Sequence, residues 1–269
     1  MSLTPQLVVT RIMEDVARRG HTWSPETIDG FKFGDPERPV TGIAVTWMAT
    51  VDVVRAAADA GASFVITHEP TFWNHLDAPP QDGTDASLYT AKTRLLEELG
   101  MTIWRFHDHH HFAFDRDPVL DDFFERLGWL ASTSGNSIGA RTDLEPIRLA
   151  DLAEHLARRL DTRAVRIVGD PDLLVRTVGY GAHDLASCID ALRGVDVIVM
   201  GEVREWDAFE YFRDASLLAE RKALIDVSHA AVESGSATGL ANWLRGIVPE
   251  VPVIDIRVPE PYQTFAVGS

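Results

Sequence analysis

The chain has few of the residues that staple or anchor a protein. Cys188 is its one cysteine among 269 residues, so no intrachain disulfide can form and a reducing compartment is expected. No uninterrupted apolar run reaches the roughly 18 residues that a membrane-spanning helix needs. The opening Met1-Ser2-Leu3-Thr4-Pro5 is not a basic stretch followed by an apolar one, so neither a span nor a signal peptide is expected, and the expected location is the cytoplasm. Positive charge is also scarce. Twenty-five lysines and arginines face 41 aspartates and glutamates, a formal net charge of −16. A general nucleic-acid footprint needs clustered lysine and arginine, and none is expected here. An anionic small molecule is not excluded, because a bound cation supplies local positive charge. No Gly-x-Gly-x-x-Gly run follows a strand, which removes the usual sign of a nicotinamide site. Cys188 falls in a helix-like stretch, where a buried thiol is expected rather than a nucleophile, and a cysteine or serine hydrolase is not the expected class.

What the chain has in excess is histidine in one place. Four of its ten histidines fall at 107, 109, 110 and 111, flanked by Asp108 and Asp115. Imidazole and carboxylate ligate borderline and hard divalent metals. The run lies inside the chain, after the apolar segment Met101–Phe106, and so is not a purification tag. Its alternative reading is a solvated histidine-rich loop, and the rest of the sequence has to decide.

Apolar runs of strand length alternate with amphipathic stretches of helix length. Strands are expected over Gly42–Met48, Ser63–Thr67 and Met101–Phe106, with helices over Val51–Ala60, Asp85–Leu99 and Pro118–Leu127. Such a βαβαβα order implies a mainly parallel sheet with helices packed on it. Residues Ala131–Arg141 are small and polar and suit a linker or turn region. The alternation then restarts. Helices are expected over Leu149–Leu160, Asp184–Leu192, Glu205–Ala219 and Ala230–Gly246. Strands are expected over Ala164–Val168, Val175–Tyr180, Val195–Met200, Lys222–Val227 and Val251–Ile256. The organisation expected is a first α/β lobe over 1–130, a second over 131–227, and a segment 228–269 that returns to the first lobe.

Open α/β sheets place ligands beyond the carboxyl ends of their strands, and three of these strands end on metal-binding residue types. One ends at His68-Glu69-Pro70, one at His107–His111, and one at Ser228-His229, with Glu233 four residues on. His229 and Glu233 at i, i+4 share a helix face. Pro70 biases Glu69 away from helix. The histidine run has two readings. If extended, His107, His109 and His111 share a side; if helical, His107 pairs with His111 and His111 with Asp115.

Together the segments Thr67-His68-Glu69-Pro70, His107-Asp108-His109-His110-His111, Met200-Gly201-Glu202 and His229-Ala230-Ala231-Val232-Glu233 resemble the Nif-three superfamily, whose members often carry the name type 2 GTP cyclohydrolase I. Order and spacing hold from about Asp29 to Ile256. The resemblance implies a two-lobed α/β fold, each lobe a mainly parallel or mixed sheet flanked by helices. It also implies a dinuclear metal centre and a ring-shaped homohexamer. His68, His229 and Glu233 carry over directly. Glu69 stands where the family has a second histidine, and His111 where it has aspartate, with Asp108 or Asp115 able to supply that carboxylate instead. Trp206 stands where many members have histidine, and Gly179-Tyr180-Gly181-Ala182-His183 loosely matches the family's glycine-rich turn.

The expectation is therefore a metal-dependent hydrolase. Two divalent ions (Zn, Fe, Mn or Ni) would be held by His68, Glu69, Asp108 or His111, His229 and Glu233, with Glu233 bridging. His107, Asp108 and His109 would orient ligands or act as general acid and base. The substrate would be a small nucleotide-like, phosphoester or amide molecule. The alternative is a non-catalytic oligomeric metal-binding or regulatory protein.

Overall fold

The structure is a computed structural model and describes residues 2–80, 86–135, 137–181, 183–218 and 221–265. The chain divides into two compact units, one of Met1–Val119 and Ser234–Val258, the other of Leu120–Glu233 and Pro259–Ser269.

The first leg of unit 1 runs α1 (Pro5–Arg18), β1 (Gly30–Phe33), β2 (Ile43–Thr46), α2 (Val51–Asp59), β3 (Phe64–Thr67), α3 (Ser87–Glu98), β4 (Thr102–Arg105) and α4 (Asp108–Phe112). Helix α5 (Pro118–Leu127) carries the chain into unit 2. There follow β5 (Thr133–Ser134), β6 (Arg141–Arg148), α6 (Leu149–Leu160), β7 (Arg166–Val168), β8 (Leu174–Tyr180), α7 (Leu185–Ala191), β9 (Val197–Met200), α8 (Glu210–Leu217), β10 (Ala223–Asp226) and α9 (His229–Glu233). The return leg adds α10 (Ser236–Ile247) and β11 (Val253–Ile256) to unit 1.

Unit 1 is built on a five-stranded sheet of order β1-β4-β3-β2-β11. Its pairings are parallel except at β1, which runs antiparallel to β4 at the edge. Strands β2, β3 and β4 are buried at every position, as expected for parallel strands covered on both faces. Alternate residues feed two cores, because side chains alternate across a sheet. Ile43, Val45, Phe64, Ile66 and Trp104 pack with Val8 and Ile12 of α1 and Leu240 and Leu244 of α10. Ala44, Val65 and Ile103 pack with Val54 and Ala57 of α2 and Leu96 of α3. Helix α1 starts where Thr4 accepts a hydrogen bond from the Leu7 N–H at 3.2 Å, with Pro5 in the first turn, a regular N-terminal signature.

Unit 2 repeats the plan on a six-stranded mixed sheet of order β5-β6-β8-β9-β10-β7, in which β8, β9 and β10 are parallel. On one face Leu149, Leu152, Leu156 and Leu160 of α6 meet Val197, Val199 and Ile225. On the other, Cys188 of α7 and Phe212 of α8 meet Ile198, Met200 and Leu224. The α/β class expected from the sequence is the class observed.

The packing draws the unit boundaries differently from the expected 130 and 227. Phe123, Phe124 and Leu127 of α5 and Ala231 and Val232 of α9 share a core with Tyr180 and Leu156. Arg126 donates to the Ala231 and Val232 carbonyls at 2.9 and 2.5 Å. His229 and Glu233 therefore belong to unit 2, and the chain returns to unit 1 only from Ser234 onward.

Two expected elements change form. The helix expected over Glu205–Ala219 opens as a π-turn over Glu205–Phe209 before α8, and Ala219 lies outside the described residues. The helix expected over Ala230–Gly246 breaks into α9 and α10. Asp85 at the expected start of α3 also lies outside the described residues. Within the expected linker, residues 135–139 (GNSIG) have Gly-x-Ser-x-Gly spacing. Asn136 lies outside the described residues; the flanking strands β5 and β6 pair antiparallel, whereas a nucleophile elbow joins a strand to a helix, and the spacing alone does not make Ser137 a nucleophile. Among the described residues no helix is long and apolar enough to cross a membrane.

Candidate metal centres

In unit 1 the parallel pairing of β3 with β4, which sets Thr67 opposite Arg105, brings the chain after each strand to the same sheet edge. His68 leaves β3 there, and His107 leaves β4. The next residues coil into α4, so of the two readings of the histidine run the helical one holds, and His107 and His111 lie one turn apart. Ligand atoms of His68, His107 and His111 all lie within 4.8 Å of one another. Three imidazole nitrogens gathered in this way are candidate ligands for one divalent ion.

Each of the three rings is fixed from behind at Nδ1. His68 Nδ1 donates to the Phe106 carbonyl at 3.3 Å, with buried His110 alongside at 3.4 Å. His107 Nδ1 donates to Asp108 at 2.9 Å, and His111 Nδ1 to Asp117 at 2.8 Å. A neutral imidazole that donates from one nitrogen carries its lone pair on the other, so each ring presents Nε2 as its ligand atom. A carboxylate behind a histidine both orients the ring and raises its basicity toward a metal. Burial above all, then His68, with His111 and Arg105 adding, pushes the His107 pKa down to about 3 against the opposing bond to Asp108. His107 is therefore neutral at pH 7, the form that ligates.

Glu69 stands at the margin of this group. Its Oε2 accepts from Arg105 at 3.3 Å and its Oε1 lies 3.7 Å from His107 Nε2. Arg105 is buried and also donates to the carbonyls of His68 at 3.0 Å and His75 at 2.6 Å. It thus holds the loop after β3 in place while balancing the charge of Glu69.

Two expected site residues stand outside the three-ring group. Asp108, expected as a ligand, an orienting group or an acid–base group, is placed to orient: it lies behind His107 and accepts further bonds from the Thr27 hydroxyl at 2.8 Å and the Ile28 N–H at 3.1 Å. Its burial alone would raise its pKa, but the bonds from His107, Ile28 and Thr27 together hold it below the usual carboxylate range. It is an ionised anchor for His107. His109, expected as an orienting or acid–base group, has both ring nitrogens engaged. Nδ1 donates to Asp29 at 2.7 Å, and Nε2 accepts from the Ser24 N–H at 2.8 Å. Its ring stacks on Trp23 at 3.7 Å. Asp115 is exposed and pairs with His21 at 3.4 Å.

The residue that holds α4 in place is Asp29. Its carboxylate accepts the N–H groups of His107, Asp108 and His109 at 2.6, 2.9 and 3.0 Å. These are donors that a helix start leaves unsatisfied.

In unit 2 the parallel strands β8, β9 and β10 end side by side, with Tyr180 opposite Val199 and Met200 opposite Asp226. His183 follows β8, the Gly201-Glu202 turn follows β9, and His229 follows β10. Ligand atoms of His183, His229 and Glu233 lie within 4.8 Å of one another. His229 Nε2 is 2.7 Å from Glu233, and His183 Nε2 is 3.7 Å from it. Here too Nδ1 is held from behind. His183 donates to the Gly201 carbonyl at 2.6 Å and His229 to Glu202 at 2.8 Å. The bond from His229 is the main reason that Glu202 titrates below the usual range. Gly201 has no room for a side chain, since a Cβ would stand 2.8 Å from the His229 Cα.

Sequence reasoning placed His68, His107, His111, His229 and Glu233 among the site residues, and each lies in one of these two groups. It missed His183 as a member, Asp117 and Glu202 as anchors, and Asp29 as the cap. The available signal for His183 was its place three residues beyond a strand end, the same offset at which His229 follows β10.

A family model described as Duf34/NIF3 (NGG1p interacting factor 3) matches residues 9–261. The chain belongs to the Duf34/NIF3 family. A Streptomyces coelicolor protein named GTP cyclohydrolase 1 type 2 homolog is 25% identical over 233 residues, covering 81% of this chain and 76% of that protein. A Bacillus cereus protein related to NIF3 superposes with a TM-score of 0.72 at 16% identity, over 98% of this chain and 100% of that one. A Staphylococcus aureus hypothetical protein gives 0.71 at 17% identity, with 98% and 100% covered. At these identities the solved structures speak for the fold, and the fold is NIF3-like. Within this NIF3-family chain, the Met200-Gly201-Glu202 motif is the turn that holds both histidines of unit 2.

Proposed function

We propose that this NIF3-family protein is a metal-dependent hydrolase that uses two divalent ions, one held in unit 1 by His68, His107 and His111 and one held in unit 2 around His229 and Glu233. The observation that carries the proposal is the shared tautomer. Every histidine of the two groups has Nδ1 committed to a carbonyl or carboxylate, which leaves Nε2 as the ligand nitrogen. Histidines that only fill a surface have no need of ionised carboxylates behind them; histidines that bind metals use them routinely.

A bound divalent ion supplies Lewis acidity, which makes water acidic and polarises a carbonyl or phosphoryl oxygen. The chain's own residues hold and orient. Asp108, Asp117 and Glu202 fix the rings, Arg105 fixes the loop carrying His68 and Glu69, and burial keeps His107 neutral. In this reading Asp108 and His109 act as holding groups, bonded to His107, Thr27 and Ile28 and to Asp29 and Ser24 respectively. The substrate class that fits is a small nucleotide-like, phosphoester or amide molecule, consistent with the name of the Streptomyces coelicolor relative. A homo-oligomer, hexameric by the sequence resemblance, completes the proposal, and a monomer by light scattering would remove that part.

The test is a hydrolysis screen on phosphodiesters, nucleotides and amides, with Zn²⁺, Mn²⁺ or Fe²⁺ and after chelation. Metal-dependent turnover that falls at least about 100-fold in both His229→Ala and Glu233→Ala is the expected result. Turnover that survives both substitutions would overturn the hydrolase reading. Tight metal uptake without turnover on any class would favour a binding or regulatory role.

A further inference from the structure

We propose that His183 is a metal ligand, so that unit 2 holds a complete site of two imidazole nitrogens and one carboxylate on His183, His229 and Glu233. The inference rests on the metal-binding reading above and adds a residue to it.

One turn fixes both rings. The Gly201 carbonyl takes the Nδ1 proton of His183, and the next residue's carboxylate takes the Nδ1 proton of His229. The turn has a demanding geometry. Gly201 lies against the His229 backbone where no Cβ fits, and Glu202 adopts a left-handed φ of 63°, which is uncommon for a residue other than glycine, asparagine or aspartate. Strained backbone of this kind gathers at functional sites. Its effect here is to aim two Nε2 atoms at one carboxylate.

A proton does not account for that arrangement. Glu233 lies 2.7 Å from His229 Nε2, a distance that one shared proton explains. His183 Nε2 lies 3.7 Å from the same carboxylate, too far for a hydrogen bond. The two rings are only 4.1 Å apart. A cation among the three ligand atoms satisfies both lone pairs and the anionic oxygen together. His183 is also the open side of the group. Its side chain is 40% exposed while Glu233 is buried, so three protein ligands leave coordination positions facing solvent, the pattern of catalytic rather than structural sites. Two nitrogens and one oxygen suit a borderline divalent ion such as Zn²⁺ or Fe²⁺ and disfavour Ca²⁺ and Mg²⁺, which prefer oxygen.

The test uses the full-length protein, metal-stripped and titrated with Zn²⁺ against a chromophoric chelator, with Co²⁺ as a spectroscopic probe. His183→Asn keeps a donor for the Gly201 carbonyl but removes the imidazole. His111→Asn serves as the reference for unit 1. Wild type should show two binding classes. His183→Asn should weaken one of them by about 100-fold or more and alter the Co²⁺ visible bands, with the melting temperature of the metal-free protein unchanged. His111→Asn should weaken the other class. Unaltered affinities and bands in His183→Asn would overturn the ligand role of His183 alone, as would a loss of affinity that merely tracks a lowered metal-free melting temperature. No uptake by wild type would overturn the metal-binding reading itself.

Discussion

The working unit of both sites is a histidine with something fixed behind it. Asp117 is the plainest case, because its carboxylate accepts from His111 Nδ1 at 2.8 Å. Asp117→Asn keeps the size and the oxygen that accepts from the Val119 N–H but loses the charge. Affinity at the unit 1 site should fall about 10- to 100-fold, read by chelator competition, with little change in the fold. His107 gives a pH prediction. Its folded-state pKa of about 3 lies below the ordinary histidine value, so in metal-free protein the unfolded chain takes up the proton first as the pH falls. The stability associated with neutral His107 is fully present above about pH 6.5 and is lost between there and about pH 3, at no more than about 1.4 kcal/mol per pH unit. Denaturant midpoints of metal-free His107→Gln should therefore depend less on pH between 6 and 4 than those of wild type. An equal dependence would show that His107 is not held neutral.

At the scale of elements, the histidine run shows how much a short helix can decide. The extended and helical readings of residues 107–111 put different histidines on the site, and nothing local in the sequence chooses between them. Asp29, some eighty residues earlier, makes the choice by capping α4. Asp29→Ala leaves three N–H groups and His109 without their acceptor and should cost about 2–4 kcal/mol, read from urea denaturation, with weaker metal binding in unit 1 because His107 and His111 lose their spacing. The Gly201 turn is the counterpart in unit 2. Gly201→Ala must displace the backbone at His229, so it should weaken the unit 2 site while leaving uptake in unit 1 intact. The strands that carry these turns were legible because buried parallel strands read as continuous apolar runs, and the ends of β3, β4 and β10 were legible as candidate ligand positions. The anchors were not. Asp29 and Asp117 look like any surface carboxylates until the chain brings them to a ring nitrogen, and His183 stood alone in sequence, with no i, i+4 partner to mark it.

At the scale of the whole molecule, the sequence pattern revealed two α/β units but misplaced their boundaries. Helices α5 and α9 were assigned by their position along the chain, whereas they belong by packing with Tyr180 and Leu156. The consequence is functional. Each unit carries candidate ligand residues placed by its own parallel strands, at 67–68 and 105–107 in unit 1 and at 180–183, 200–202 and 226–229 in unit 2. The net charge of −16 is compatible with cation uptake. The most direct test of the account is the metal content of untagged protein reconstituted with Zn²⁺, freed of excess ion and measured by elemental mass spectrometry against protein concentration. About two ions per chain are expected, one for each group. Fewer than about 0.5 ions per chain, with no rise on reconstitution, would contradict it.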